Sequence, residues 1–115
     1  MTPNYSWLKP STYYVLLALG DGERHGHAIM QTVAEMTGGR ETILPGTLYA
    51  ALARMVDDGL IEEREAPAED ASGGPKRRYY KSTKQGLAAA RAESERLRAL
   101  LDIARKQKIL QGVRR

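Results

Sequence analysis

Residues 44–86 read LPGTLYAALARMVDDGLIEEREAPAEDASGGPKRRYYKSTKQG, and this stretch decides the fold. Pro45-Gly46-Thr47-Leu48-Tyr49 opens a short amphipathic helix. Proline suits the first helical turn, where its missing N–H would be unpaired anyway. Leu48, Leu52, Met55 and Val56 then recur at i, i+4, i+7 and i+8 and make one inward face. Thr47, Ala50, Arg54 and Asp57 fall on the opposite arc. Gly59-Leu60-Ile61 ends the helix and turns into a strand, Asp70 to Pro75 make a Gly-rich loop, and Lys76-Arg77-Arg78-Tyr79-Tyr80 leave it. A helix followed by a basic-edged hairpin is the arrangement that a winged helix presents to DNA.

The flanking segments fit that reading. Ser11 to Leu19 reads as a first helix between Pro10 and Gly20, apolar enough at its centre to be buried on most sides. Asp21-Gly22 is a turn. A second helix runs from Gly26 to Thr37 with Ile29, Val33 and Met36 as its inner stripe, and Gly38-Gly39 stops it. Three short helices with tight connections favour a helix-turn-helix core. Ile61–Ala66 and Arg77–Ser82 are the hairpin strands. Thr83 caps a long helix reaching about Gln111, in which Leu87, Ala90, Ser94, Leu97, Leu101 and Ala104 alternate at spacings of 3 and 4. That is a coiled-coil-like seam. It lies beyond the core a small winged helix closes by itself, so it predicts a second chain.

Composition narrows the classes. A chain of 115 residues makes one ordinary domain, and 42% hydrophobic content excludes a disordered one. There is no cysteine, hence no disulfide and no thiolate metal site, which suits the cytoplasm. No apolar run approaches the ~18 residues of a membrane span, and no signal peptide is legible. Residues 1–75 carry 5 Lys/Arg against 11 Asp/Glu, a net −6; residues 76–115 carry 13 against 3, a net +10. Positive charge concentrated after the loop points to a polyanion. For the far C-terminal residues a solvated basic helix is an equally good account.

Four segments resemble the PadR family of transcriptional regulators. Val15-Leu16-Leu17-Ala18-Leu19 with Gly26 and Ile29 is similar to its opening, where tyrosine commonly stands at the positions of His25 and His27. Gly46-Thr47-Leu48-Tyr49 with Leu52, Arg54 and Gly59-Leu60-Ile61 is similar to its recognition helix. Gly74 to Tyr80 resembles its wing, and Thr83 with Gly86 its entry into a dimer helix. There are departures. Ala50 stands where proline is frequent. Ser82 replaces a usual leucine, so the strand-to-helix corner should pack less tightly. Glu69 and Asp70 put acid near the wing tip and argue against its deep insertion into a groove. One C-terminal helix matches the shorter PadR subgroup.

In a winged helix the third helix enters the major groove and the wing lies on the flanking backbone or in the minor groove; phosphate contacts supply affinity and base edges specificity. Gly46 and Thr47 offer N–H groups at a helix N-terminus. Tyr49 either reaches a phosphate through its hydroxyl or is a core-edge aromatic. Arg54 either meets phosphate or pairs with Asp57 or Asp58. Lys76, Arg77 and Arg78 are the phosphate candidates of the wing, and alternation puts Tyr79 with Arg77 on its outer face and Tyr80 inward. An edge strand protected by charge is the structural alternative. His25 and His27, two apart, point in different directions and share a metal poorly, so no metal or other cofactor is expected, and His27 reads as a core-edge group. Trp7, Tyr13 and Tyr14 line a possible pocket for a small apolar or aromatic effector between the first and last helices. No nucleophile–base pair is present, so an enzyme is not expected.

The expected fold is mainly α with a small β-hairpin: an arm and winged helix-turn-helix over 1–82 and a dimerisation helix over 83–115. The expected function is a homodimeric DNA-binding regulator, a repressor on a palindromic operator. The alternative is a winged-helix interaction module whose basic C-terminal part binds an acidic partner.

Overall fold

The computed structural model describes residues 8–66 and 78–111. Its elements are α1 (Pro10–Ala18), β1 (Arg24–His25), α2 (Gly26–Met36), α3 (Pro45–Asp57), β2 (Ile61–Arg64), β3 (Tyr79–Ser82) and α4 (Lys84–Lys106). Proline starts both α1 and α3 at the first turn. The sheet has three antiparallel strands in the order β1-β3-β2, not the two of a simple hairpin. Arg24 faces Tyr80 and His25 faces Tyr79, while Ile61 faces Ser82 and Arg64 faces Tyr79 across β2 and β3. Both hairpin strands are shorter than the residue pattern predicts, and α4 ends at Lys106 rather than near Gln111.

Val15, Leu16, Ile29, Val33, Leu48, Leu52, Met55 and Ile61 are fully buried and form the centre of the core. The inward face expected of α3 is therefore the face observed, with Val56 packed at its margin. Two other expectations change. Leu17 is 42% exposed, so α1 is buried on one side through Val15, Leu16 and Ala18 rather than on most sides. Met36 is 48% exposed, because α2 passes beyond the edge of the core before Gly38 and Gly39, both at positive φ, stop it.

The corner after α3 shows why glycine stands there. The N–H of Leu60 donates to the Met55 carbonyl at 2.9 Å and that of Gly59 to Val56 at 3.1 Å, with Gly59 at φ 78°. This paired closure requires a left-handed residue just past the helix, which glycine adopts without steric cost. Thr83 locks the same corner to α4. Its hydroxyl donates to the Gly59 carbonyl at 2.6 Å and accepts from the Gly86 N–H at 3.0 Å, so the predicted cap is also a tertiary tie. Ser82, beside it, has a buried hydroxyl oxygen with no hydrogen-bond partner among the described residues.

Only the first turns of α4 pack on the domain, through Gly86, Ala89 and Glu93, with Ala90 at the margin. Glu93 is 4% exposed and receives two hydrogen bonds from Arg96, at 3.0 and 2.6 Å. Those bonds hold its carboxyl below the usual glutamate range, against the opposing effect of burial. A carboxyl depressed in the folded state stabilises fully at pH above its unfolded value, about 4.3, and loses that contribution as pH falls from there through its lowered folded-state value. Arg96→Gln should therefore destabilise the protein most at neutral pH, and the difference from the wild type should shrink below about pH 4 in urea titrations. A pH-independent difference would show that the pair contributes packing rather than charge.

Candidate nucleic-acid interface

The outer arc of α3 is bare. Pro45, Gly46, Thr47, Tyr49, Ala50, Ala53 and Arg54 are all exposed. No side chain caps the helix, so the N–H groups of its first turn point outward without a side-chain acceptor. Arg54 makes no ion pair with another described residue, so neither Asp57 nor Asp58 neutralises it.

Tyr49 leans across to α2. A methyl group built on Gly26 would lie 2.7 Å from the Tyr49 hydroxyl oxygen and 2.8 Å from a ring carbon, so glycine at position 26 is what admits the ring. Half of Tyr49 remains exposed. It is a core-edge aromatic packed on Gly26 with about half of its surface open to solvent. Gly26→Ala is expected to keep the fold, within about 1 kcal/mol because alanine favours the helix, while displacing the tyrosine ring. Loss of NOEs between residue 26 and that ring, with an unchanged core spectrum, checks this.

A cavity of about 530 Å³ opens between Tyr49 and Ala53 on α3, His25 and His27 at the head of α2, and Glu63, Arg78 and Tyr80 on the sheet. It joins the helix and the wing on one face. Arg78 is 73% exposed in its side chain and pairs across the strands with Glu63 at 3.1 Å, a partner that the spacing of the residues did not reveal. Tyr80 is buried, as alternation predicts. Burial, then Glu63, push its hydroxyl above the ordinary tyrosine range, and Arg78 opposes them. Tyr79 is half-buried rather than fully outward, because its ring meets His25 edge-on at 5.4 Å. Lys76 and Arg77 lie outside the described residues. Exposed Leu44 and Ala53 were not singled out from the residue pattern, which marks charge and periodicity but not apolar side chains left uncovered.

The two histidines separate in role. His25 caps α2, its Nδ1 accepting from the Ala28 N–H at 3.1 Å. His27 is exposed beside it, the rings nearly parallel with centroids 6.5 Å apart, so it is not the core-edge group expected. Among the described residues no three His, Cys, Asp or Glu side chains converge on a metal position.

Of the seam residues, Ala90 packs on its own domain and Ser94 shares a 2.7 Å hydrogen bond with the Tyr13 hydroxyl. Leu97 and Ala104 are half-buried, and Leu87 and Leu101 are exposed together with Leu100 and Ile103. Tyr14 packs against the core; burial, then Glu41, raise its hydroxyl above the ordinary value. Trp7 lies outside the described residues. The 530 Å³ cavity touches neither Tyr13 nor Tyr14.

The model of the transcriptional regulator PadR-like family matches residues 15–92, from the core of α1 through the wing into α4. The chain belongs to the PadR family. This PadR-like transcriptional regulator is similar in structure to a PadR family transcription regulator from Clostridium difficile, at 26% identity over 85% of this chain and 97% of that one, with a TM-score of 0.70. It is also similar to a transcriptional regulator from Clostridium thermocellum, at 23% identity over 84% and 87% of the two chains, with a TM-score of 0.69. Bacillus subtilis PadR, solved in complex with operator DNA, is 21% identical over 73% of this chain and 46% of that one, with a TM-score of 0.63. The latter two likenesses show the winged-helix fold. No curated protein matches the chain. PadR family members are transcription regulators and not enzymes. Among the described residues no helix is long and apolar enough to cross a membrane.

Proposed function

We propose that this PadR-like regulator binds double-stranded DNA sequence-specifically as a homodimer, acting in the cytoplasm as a repressor on a palindromic operator. Residues 1–82 are the DNA-binding unit and 83–115 the dimerisation unit. Recognition helix α3 enters the major groove, and the wing follows the flanking backbone. The observation that carries the reading is the exposed arc of α3 beside the sheet: the helix start has no side-chain cap, Arg54 is exposed and unpaired among the described residues, and Tyr49 and Ala53 share a cavity with Arg78, while the opposite face of α3 is used by the core. The complex of Bacillus subtilis PadR with operator DNA supports it by analogy of fold. The dimer rests on the apolar side chains that α4 leaves exposed beyond its first turns.

Each phosphate contact contributes about 0.9 to the slope of log K against log salt. Alanine at Lys76, Arg77 and Arg78 together should flatten that slope by about 2.7 per subunit if each meets one phosphate. Arg78 must leave Glu63 to do so, and an exposed pair costs only ~1 kcal/mol or less to break. An unchanged slope would reassign these residues to edge-strand protection. Binding that ignores DNA sequence would favour the acidic protein partner instead.

Regulation is proposed through the α1–α4 contact. A small apolar or aromatic effector held near Trp7, Tyr13 and Tyr14 would break the Tyr13–Ser94 hydrogen bond and change the separation of the two recognition helices. It shifts the dimer only by its differential affinity for the two shapes. Operator release across an aromatic library, followed by Trp7 fluorescence, tests this; no release together with a filled interface would end it.

A further inference from the structure

Leu44 is the least explained side chain on the face just described. It is 72% exposed, and it occupies the N-cap of α3 with φ −70° and ψ 149° and no side-chain cap. Caps favour Ser, Thr, Asp or Asn, whose oxygen takes up a free N–H; leucine is among the poorest choices. A leucine here therefore forgoes the cap and leaves apolar surface in water, with no described residue to bury it. Breaks of a local rule with no structural return tend to fall at functional sites.

The rest of the helix fits the same chemistry. Across Pro45–Asp57, PGTLYAALARMVD, there is no Asn, Gln or Lys, and one Arg at position 54. Those are the residue types that read guanine and adenine edges by paired hydrogen bonds. Apart from Tyr49, Arg54 and Asp57, what α3 exposes beyond its first two residues is short and apolar: Ala50 and Ala53, with the methyl of Thr47. Leu44, Thr47 and Ala50 follow at spacings of three, which makes them neighbours along one side of the helix entrance. The one apolar group on a base edge in the major groove is the C5-methyl of thymine.

We infer that the recognition helix reads its operator mainly through thymine methyl groups, with Leu44 as a specificity-determining contact at the N-terminal end of α3 and Thr47 and Ala50 continuing the strip. This rests on the DNA-binding reading above and adds the chemical feature that is recognised. Hydrogen bonds from the first-turn N–H groups, Tyr49 and Arg54 then position the helix on phosphates, leaving discrimination to shape and methyl contact.

The test uses the full chain and duplexes it selects from a random-sequence pool at fixed salt. Each thymine of the selected half-site is replaced in turn by deoxyuridine, which deletes the methyl and keeps every hydrogen-bonding group. One to three positions per half-site should each lose about fourfold in affinity, the factor for one buried CH₂-sized group. Leu44→Ser should abolish the loss at one of those positions. The serine adds a capping residue at an exposed site and engages one first-turn N–H; that changes affinity equally for thymine and deoxyuridine duplexes, so neither impaired folding nor a lost phosphate contact imitates the result. Sequence-specific binding indifferent to every deoxyuridine overturns the inference and leaves the DNA-binding reading intact. A Leu44→Ser protein as sensitive as the wild type at every position overturns the role of Leu44. Failure to select any preferred sequence overturns both readings together.

Discussion

Gly86→Ala is expected to cost about 3 kcal/mol or more, the upper range for forcing one carbon into a packed site. A methyl group at that position would lie 2.0 Å from the Leu60 carbonyl oxygen and 3.2 Å from a methyl of Leu16. The first neighbour is backbone at the α3–β2 corner, held by Thr83 and by the Gly59–Leu60 closure, so it has nowhere to move. Either α4 lifts from the domain and loses the Thr83 cap, or the corner opens and α3 shifts. Urea denaturation checks the magnitude. Gly46→Ala is the control: nothing lies within 4 Å of a methyl there, and it should be neutral or stabilising by up to about 1 kcal/mol. Equal effects at the two positions would mean that the α4 entry has more slack than its geometry implies.

The double substitution Leu97→Asp, Leu101→Asp is expected to yield monomers and to reduce operator affinity by about 10²- to 10⁴-fold, the advantage that linking two half-site contacts provides. Leu101 is 48% exposed and Leu97 half-buried, and both lie beyond Glu93, the last residue of α4 that is buried within the chain. The helical spectrum should survive, because Gly86, Ala89 and Glu93 still dock the helix. Sedimentation equilibrium decides it: a variant that remains dimeric removes this seam from the interface, and affinity that survives dissociation removes dimerisation from recognition. Leu100 and Ile103 are exposed alongside. If the seam follows them rather than Ala90 and Ser94, which are engaged within the chain, the paired face is rotated from the one that the 3–4 spacing marks.

Recognition is built here from modest parts. Of the three wing cations Arg78 is paired with Glu63, and the helix carries few polar side chains. Affinity on this reading comes from phosphates and from two coupled half-sites, which makes it steeply dependent on salt and on the geometry of α4. Glu93 with Arg96, and Tyr13 with Ser94, sit on that geometry.

What the sequence determined alone was everything that backbone rules settle within a few residues. Pro45 starts a helix, Gly38 and Gly59 stop helices, Thr83 caps, and the spacing from Leu48 to Val56 picks the buried face of α3. These signals are local because a helical turn spans four residues and a left-handed residue acts where it stands. The tertiary structure alone decided that Arg24–His25 forms a third strand against Tyr79–Tyr80, that Arg78 meets Glu63, that Tyr49 rests on Gly26, that Leu17 and Met36 face outward, and that Leu44 is left uncovered. A strand of two residues has no period to read, and its partner lies more than fifty positions along the chain. Which apolar residue is covered depends on where the core ends, and the core ends where distant elements happen to meet.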